Sequence, residues 1–198
     1  MGKIFYVMGK SASGKDTVYK KILESRKNLK TVVLYTTRPA RDGEQEGVEY
    51  HFTNQESMEK LEIQGKLIEK RTYETVYGPW SYFTVDDGQI NLSDGNYYLM
   101  IGTLESYEKM RNYFGEEGLI PIYIEVDDGI RLERAVQREK TQKNPKYREL
   151  CRRYLADEED FKEENLIRCG ILKRYENYNL EACMEEILKD MDSEMIVY

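Results

Sequence analysis

Residues 4–17 read Ile4-Phe5-Tyr6-Val7-Met8-Gly9-Lys10-Ser11-Ala12-Ser13-Gly14-Lys15-Asp16-Thr17. An apolar run is followed by a glycine-bearing loop, and the loop opens a helical pattern. In this arrangement the glycines let backbone N–H groups turn inward onto phosphate oxygens, and Lys15 adds a mobile cation for the outer phosphates. The stretch predicts a phosphate-binding loop between a buried strand and a helix.

The residue after Lys15 departs from the strict phosphate-loop pattern. That pattern has Ser or Thr at this position, where a hydroxyl helps to hold Mg²⁺. Here Asp16 takes the position, and Thr17 follows it. Two interpretations stay open: the Asp16 carboxylate binds the metal directly or through water, or Thr17 replaces the usual hydroxyl.

A second segment carries two arginines a short distance downstream. It reads Thr36-Thr37-Arg38-Pro39-Ala40-Arg41-Asp42-Gly43-Glu44. Guanidinium groups are forked and always charged, so Arg38 and Arg41 suit a phosphate dianion better than lysines would. The two segments together predict a phosphoryl-transfer enzyme that acts on a phosphorylated acceptor.

Composition limits the classes of protein and of partner. The 198 residues are 40% apolar and 34% charged, which is ordinary for one globular domain. The net charge of −7 disfavours a general nucleic-acid binder, because such proteins carry a basic excess. No apolar run is long enough to span a membrane. Gly9 and Lys10 end the N-terminal run, so no signal peptide is expected.

Cysteine and histidine usage argues against a zinc site. Cys151, Cys169 and Cys183 form no C-x-x-C pair, and His51 is the one histidine. These residues cannot supply the usual zinc ligand sets. Free thiols fit a reducing compartment, and we expect a cytoplasmic protein.

Apolar runs and helical patterns alternate along the chain. The runs fall at Ile4–Met8, Val32–Tyr35, Tyr97–Ile101 and Ile120–Val126. Runs of this kind are typical of parallel strands that are buried on both faces. Helical spacing separates them, which predicts an α/β fold with a parallel sheet. Residues 36–84 are richer in glycine and aromatic side chains, and they predict a small mixed α/β insertion.

Residues from Leu132 to Phe161 are strongly charged and carry several arginines. Glu and Asp alternate with the arginines, so a solvated helix face with ion pairs is one interpretation. Downstream of a phosphate loop, an arginine-bearing lid is the better one. The segment Lys140–Lys146 contains Pro145 and no apolar residue, which predicts a loop between two helices.

From Lys3 to about Asp192 the chain resembles the guanylate kinases, which are P-loop nucleoside-monophosphate kinases. Besides the loop, the matching motifs are the Thr36–Glu44 segment with Gly47 and Tyr50-His51-Phe52, Leu67-Ile68-Glu69, Tyr77-Gly78, Leu132-Glu133-Arg134-Ala135-Val136-Gln137-Arg138 and Asn177-Tyr178-Asn179-Leu180. The resemblance implies one domain with a P-loop NTPase-type sheet. Its core would comprise residues 1–35, 85–130 and 165–198, with a monophosphate-binding insertion at about 36–84 and a helical lid at about 131–160.

The resemblance also implies a role for each matching residue. ATP would bind to Gly9, Lys10, Ser11, Ala12, Ser13, Gly14, Lys15, Asp16, Thr17 and Asn177. GMP would bind to Arg38, Arg41, Glu44, Tyr50, Glu69 and Tyr77. The catalytic groups would be Lys15, Arg134, Arg138 and Arg152, with Arg148 or Arg153 as alternatives to Arg152. Asp16 and Thr17 are the candidate metal ligands. The implied cofactors are ATP and Mg²⁺, the partners are these nucleotides without nucleic acid or membrane, and the protein would be a monomer or homodimer.

Three positions depart from the family pattern where the guanine would bind. Leu34 stands where the family has a small hydroxyl residue, and Met100 and Gly102 stand where it has aspartates. Glu69 alone remains to accept hydrogen bonds from the guanine N1–H and amine. The leading hypothesis is nevertheless ATP:GMP phosphotransfer, which rests on the phosphate loop, Arg38, Arg41 and Glu69. A related kinase that acts on another phosphorylated acceptor, such as ribose 1,5-bisphosphate, and a non-catalytic binding module are the alternatives.

Overall fold

The computed structural model describes residues 1–41, 43–75 and 78–195. Its larger sheet consists of five parallel strands. Their spatial order is β2 (Lys30–Thr31), β7 (Tyr97–Ile101), β1 (Lys3–Met8), β8 (Leu119–Glu125) and β9 (Tyr175–Glu176). This parallel sheet, with helices on both faces, confirms the predicted fold class.

The central strand β1 is buried on both sides. Ile4, Tyr6 and Met8 belong to the hydrophobic core on one face of the sheet. Phe5 and Val7 belong to the core on the other face. Because side chains alternate between the faces of a strand, a strand covered on both sides requires an unbroken apolar run.

Two pairs of helices cover the sheet. The helices α1 (Lys15–Ser25) and α7 (Leu180–Met195) supply Val18, Ile22, Cys183, Ile187 and Met191 to the core that contains Phe5 and Val7. On the opposite face, α3 (Leu104–Phe114) and α6 (Glu163–Arg168) supply Leu104, Tyr107, Met110 and Leu166. A short 3₁₀ helix, Glu116–Gly118, precedes β8.

A smaller sheet of four strands forms the mixed part of the chain. Its order is β4 (His51–Phe52), β3 (Tyr35–Thr36), β6 (Gly78–Val85) and β5 (Leu67–Thr75). The helix α2 (Gln55–Ile63) begins after Asn54, whose side chain accepts a hydrogen bond from the Ser57 N–H. Met58 on α2 packs against Phe83 and Val85 of β6, which gives this sheet a small core of its own.

The prediction of a strand over Val32–Tyr35 is wrong for residues Val32–Leu34. The chain leaves the larger sheet after β2 and enters the smaller one at β3, so these residues connect two sheets. The Gln89 side chain accepts from the Val33 N–H at 2.9 Å and donates to the Val33 carbonyl at 3.2 Å. One side-chain amide thus replaces the strand partner that Val33 lacks.

Two further helices carry the arginines of the predicted lid. They are α4 (Asp128–Lys140) and α5 (Tyr147–Asp160), and the intervening residues form the expected connection. Along the described chain, we find no helix with the length and hydrophobicity needed to cross a bilayer.

Replacing Ile22 with alanine should destabilise the fold. Ile22 is fully buried between α1 and the sheet, whereas Ile63 on α2 is 86% exposed. Ile22→Ala creates a cavity and should lower the free energy of unfolding by about 2–5 kcal/mol. Ile63→Ala, the matched control, should change it by less than about 0.5 kcal/mol. Denaturant titration measures both values, and equal unfolding midpoints for the two variants would contradict this packing.

Candidate active site

The loop after β1 makes two close approaches that require glycine. A Cβ on Gly9 would lie 2.5 Å from the carbonyl oxygen of Ile124, and a Cβ on Gly14 would lie 2.4 Å from Nδ2 of Asn177. Gly14 also has a φ of +92°, in the left-handed region that glycine favours. Ala12 has a left-handed φ of 64° as well, so the loop turns tightly.

The loop ends in a helix N-terminus without a side-chain cap. Gly14 is the N-cap residue of α1, and among the described residues this helix start has no side-chain cap. The first N–H groups of a helix have no partner within the helix, and they carry partial positive charge. Lys15 is the first residue of α1, and its Nζ lies 3.7 Å from the Asp16 carboxylate. This end of α1 can therefore receive an anion.

Asn177 holds the loop from inside the protein. Its Nδ2 donates to the Ser13 carbonyl at 2.9 Å, and its backbone N–H donates to the Glu125 carbonyl at 2.9 Å. Arg134 donates to the Asn177 carbonyl at 3.1 Å. The structure therefore brings the predicted residues Arg134 and Asn177 together next to the loop.

Acidic side chains hold the loop from outside. The Ser11 N–H donates to the Asp157 carboxylate at 2.7 Å. The Lys10 ammonium donates to Glu158 at 2.8 Å and to Asp128 at 3.2 Å. Asp157 and Glu158 belong to α5, and Asp128 begins α4. Both helices of the predicted lid thus contact the loop.

Arg131 is the centre of this acidic cluster, and the sequence did not single it out. It is 1% exposed, and it donates to the Ser11 carbonyl at 3.1 Å, to Glu158 at 2.6 Å and to Asp128 at 2.8 Å. Its guanidinium also stacks over the Tyr154 ring, 4.5 Å from the centroid. The available signal was helical spacing, because Arg131, Ala135 and Glu139 recur at intervals of four and form the buried face of α4.

The other predicted lid arginines are more exposed. Arg138 and Arg148 lie on exposed positions of α4 and α5. Arg152 donates two hydrogen bonds to Glu149, at 2.7 and 2.8 Å, and its side chain is 63% exposed. Arg153 lies 3.7 Å from the same carboxylate. Arg152 lines a cleft between α5 and the smaller sheet, opposite Tyr73 and Tyr82.

Arg38 is buried in the second predicted anion site. It is 3% exposed, and it donates to both carboxylate oxygens of Glu44, at 2.7 and 2.9 Å. Its guanidinium lies over the rings of Tyr50 and Phe52, 5.2 and 5.7 Å from their centroids. Within the described residues its Nε has no hydrogen-bond partner. Arg38 is thus fixed in direction and retains an unused donor.

Glu44 organises the segment around Arg38. The Arg41 N–H also donates to this carboxylate, at 2.8 Å, while the Arg41 side chain is exposed. The hydrogen bonds from Arg38 and Arg41 lower the pKa of Glu44 to about 2. The predicted residues Arg38, Glu44 and Tyr50 therefore lie together, and Tyr77 and Asp42 fall outside the described residues.

Glu69 is almost completely buried on β5, with 3% exposure. It accepts a hydrogen bond from the Thr84 hydroxyl at 2.9 Å and one from Nε of Arg71 at 3.2 Å. Burial raises the pKa of Glu69 above its ordinary value, and Arg71 and Thr84 oppose this rise. Arg71 was not among the predicted site residues, although residues two apart on a strand share a face.

Tyr6 occupies the space beside Gly102. A Cβ at Gly102 would lie 2.1 Å from the Tyr6 hydroxyl oxygen and 2.8 Å from Oγ of Ser106. These two hydroxyls are hydrogen-bonded to each other. The absence of a side chain at Gly102 is therefore a packing requirement. Leu34 packs against the same core as Met100, which is 5% exposed.

The residues near Lys15 suit a magnesium–nucleotide complex better than a metal cage. Asp16 and Thr17 are exposed in the first turn of α1. Within the described part of the chain, no three acidic, His or Cys side chains converge on a metal-sized site. Mg²⁺ is commonly held by one or two carboxylates, waters and substrate phosphates, so Asp16 and Thr17 fit such a role.

The ion pair between Glu44 and Arg38 predicts an unusually low pKa for the Glu44 carboxyl group. Its pKa in the folded protein is about 2, compared with 4.5 ordinarily. Because the folded value is the lower one, the stabilisation from Glu44 is present above pH 4.5 and is lost as the pH falls towards 2. NMR titration of the carboxyl carbon measures this, and Arg38→Ala should move the pKa upward. Titration of wild-type Glu44 near 4.5 would contradict the pairing.

Comparisons with known proteins agree with the resemblance predicted from the sequence. Residues 1–86 match the family model described as guanylate kinase. The guanylate kinase of Neisseria gonorrhoeae is 35% identical over 100 residues, which cover 50% of this chain and 47% of that protein. The guanylate kinase of Chlorobium chlorochromatii is 32% identical over 119 residues, covering 60% and 61% respectively. The chain thus spans about half the length of the curated relatives it matches.

The structural comparison covers more of the chain. A crystal structure of guanylate kinase from Anaplasma phagocytophilum superposes with a TM-score of 0.63 and 20% identity, over 99% of this chain and 87% of that chain. At this identity the match concerns the fold. The chain therefore resembles the guanylate kinases in sequence over its first 86 residues and in fold over almost its whole length.

Proposed function

We propose that the protein transfers the terminal phosphoryl group of ATP to GMP, giving ADP and GDP. One arrangement supports this proposal: the N-terminus of α1, which follows β1, and the buried carboxylate of Glu69 both lie close to strand β1. The loop with Lys15 follows Met8 directly, and Ile68, the residue before Glu69, packs against the core that contains Tyr6 and Met8. A phosphate donor and a nucleobase would therefore meet at the carboxyl end of β1.

The donor side would use the loop and its neighbours. Phosphates of ATP would accept hydrogen bonds from the N-terminus of α1, and Lys15 would pair with the outer phosphates. Asn177 and Arg134 would lie beside the adenine, as the family resemblance implies. Mg²⁺, held with the nucleotide near Asp16 and Thr17, would neutralise phosphate charge.

The acceptor side would use the segment that contains Arg38. Arg38 and Arg41 would bind the GMP phosphate, with Tyr50 and Tyr77 as neutral donors. Glu44 orients Arg38 through two hydrogen bonds. Glu69 would accept from the N1–H and the amine of guanine. Adenine offers no such donor pair, so a buried carboxylate facing it would lose hydrogen bonds.

Charge neutralisation would supply most of the rate enhancement. The acceptor phosphate is itself the nucleophile, so no general base is required. Lys15, Arg134, Arg138 and Arg152 would stabilise the charge on the transferring group. Closure of the lid at about 131–160 would bring the exposed arginines towards that group and exclude water.

The acceptor can be identified with an assay of ADP release in the presence of Mg²⁺ and ATP. GMP, dGMP, AMP, CMP, UMP and ribose 1,5-bisphosphate should be compared at matched concentrations. We expect the highest kcat/KM with a guanine nucleotide. A higher value for the sugar bisphosphate would favour the related kinase. Absence of ADP release with every acceptor, together with retained ATP binding, would favour a non-catalytic binding module.

Replacing Lys15 with methionine should lower turnover severely without unfolding the protein. The loss of a charge-stabilising group at the reaction centre typically lowers kcat by about 10²–10³-fold. GMP affinity, measured by calorimetry, should stay within about twofold, because Lys15 faces the donor. Lys20→Met is the matched control, since Lys20 is exposed on the same helix. Unchanged turnover in Lys15→Met would exclude Lys15 from the reaction centre.

A further inference from the structure

Arg71 presents unused hydrogen-bond donors next to the buried carboxylate of Glu69. Its side chain is 12% exposed, and its Nε donates to Glu69 at 3.2 Å. Within the described residues, its two terminal nitrogens have no hydrogen-bond partner, and neither is sealed from solvent. A partly buried guanidinium that keeps two open donors is poised to meet a ligand.

Arg71 is also linked by packing to the part of the candidate acceptor site that contains Arg38. It is the cross-strand partner of Tyr82, whose ring lies 5.6 Å from that of Tyr50. The Tyr50 ring in turn lies under the Arg38 guanidinium, 5.2 Å away. A ligand whose phosphate is held by Arg38, and whose other end reaches Glu69, would therefore pass Arg71.

The charges of Glu69 and Arg71 restrict the chemistry of the ligand group that reaches them. Glu69 and Arg71 have opposite charges and lie in contact, so together they present no net charge to a ligand. A second phosphate would have to approach the buried Glu69 carboxylate at close range, and like charges at such distances repel strongly. A neutral group that offers N–H donors to Glu69 and an acceptor oxygen to Arg71 satisfies both.

We infer that Arg71 is a specificity-determining residue that donates a hydrogen bond to the O6 carbonyl of a 6-oxopurine monophosphate while Glu69 accepts from the adjacent N1–H. This inference rests on the proposed function and deepens it. In guanine and hypoxanthine, O6 is an acceptor that neighbours N1–H, which matches the order of Arg71 and Glu69. Adenine has a donor amine at position 6, which would face the Arg71 donors and leave both unpaired.

This arrangement accounts for a guanine site without the usual partners at Leu34, Met100 and Gly102. An aspartate side chain cannot be placed at Gly102, because the Tyr6 hydroxyl fills that space. The Arg71 guanidinium, on β5 of the smaller sheet, would reach the base edge from another direction. The family expectation of an acidic base-binding residue is thereby replaced by a basic one, directed at an acceptor atom of the base.

The test compares three nucleotides across four proteins. The wild type, Arg71→Ala, Arg71→Lys and Lys70→Ala should each be assayed with GMP, IMP and AMP. Lys70 is the matched control, because it is the next residue on β5 and pairs with Glu62 at 2.6 Å on the other side of the strand. Arg71→Lys keeps a positive partner for Glu69, so it covers the case in which Arg71→Ala fails to fold.

We expect Arg71→Ala to lower the ratio of kcat/KM for GMP to that for AMP by about ten- to a hundredfold. The kcat/KM for IMP should fall in parallel with that for GMP, because both bases carry O6. The change should lie mainly in KM, and Arg71→Lys should show an intermediate loss because it retains the charge without the fork. Lys70→Ala should leave kcat/KM unchanged for each of the three nucleotides.

The outcomes separate this inference from the proposed function. If wild-type protein turns over GMP but the GMP:AMP ratio stays within twofold in both Arg71 variants, Arg71 does not read the base and only the inference fails. The same conclusion follows if GMP and AMP lose activity equally, since a purely structural role would affect them alike. If the wild type does not phosphorylate GMP or IMP, the proposed function itself fails.

Discussion

The buried guanidinium of Arg131 is the contact on which the architecture of the site depends. It joins Ser11 of the loop to Asp128 of α4 and to Glu158 of α5, and it is 1% exposed. A buried charge is tolerated only while its partners stay in place, because removing one leaves an uncompensated charge. The loop, the start of α4 and the last turn of α5 are therefore joined in one charged cluster. Asn177 fixes the same loop from the opposite side, so its shape is determined from two directions.

The central part of the fold could be predicted from local pattern. Ile4–Met8 predicts a strand buried on both faces, and the structure agrees. The segment Val32–Leu34 could not be predicted in this way. Its hydrophobicity is that of a strand, but the Val33 backbone forms its hydrogen bonds with the Gln89 side chain, 56 residues away in sequence. Local pattern records burial, and it does not identify which partner satisfies the backbone.

The same limit applies to the candidate site. Arg38 and Glu69 stand in motifs whose residue types match their chemistry, so the sequence alone singles them out. Arg71 and Arg131 belong to no such motif. Arg71 has its partner Glu69 two residues away on the same strand, whereas folding brings the partners of Arg131 near. Arg131 meets Ser11 across 120 positions of sequence. Tyr6 meets Ser106 across 100 positions. A guanidinium that points into a site and one that lies on the surface have the same local sequence signature, so only the packed structure distinguishes them.

The neighbourhood of Glu69 shows how packing and charge constrain each other at the proposed base-binding site. A side chain at position 102 would collide with the Tyr6 hydroxyl, so packing excludes a carboxylate there. Glu69 instead forms an ion pair with Arg71. Because burial already raises the pKa of Glu69, a nearby cation keeps the carboxylate ionised and able to accept hydrogen bonds. Arg71 thus stabilises the ionised form of Glu69 in the free protein. In the proposed complex its guanidinium would also donate to the acceptor oxygen of the bound base.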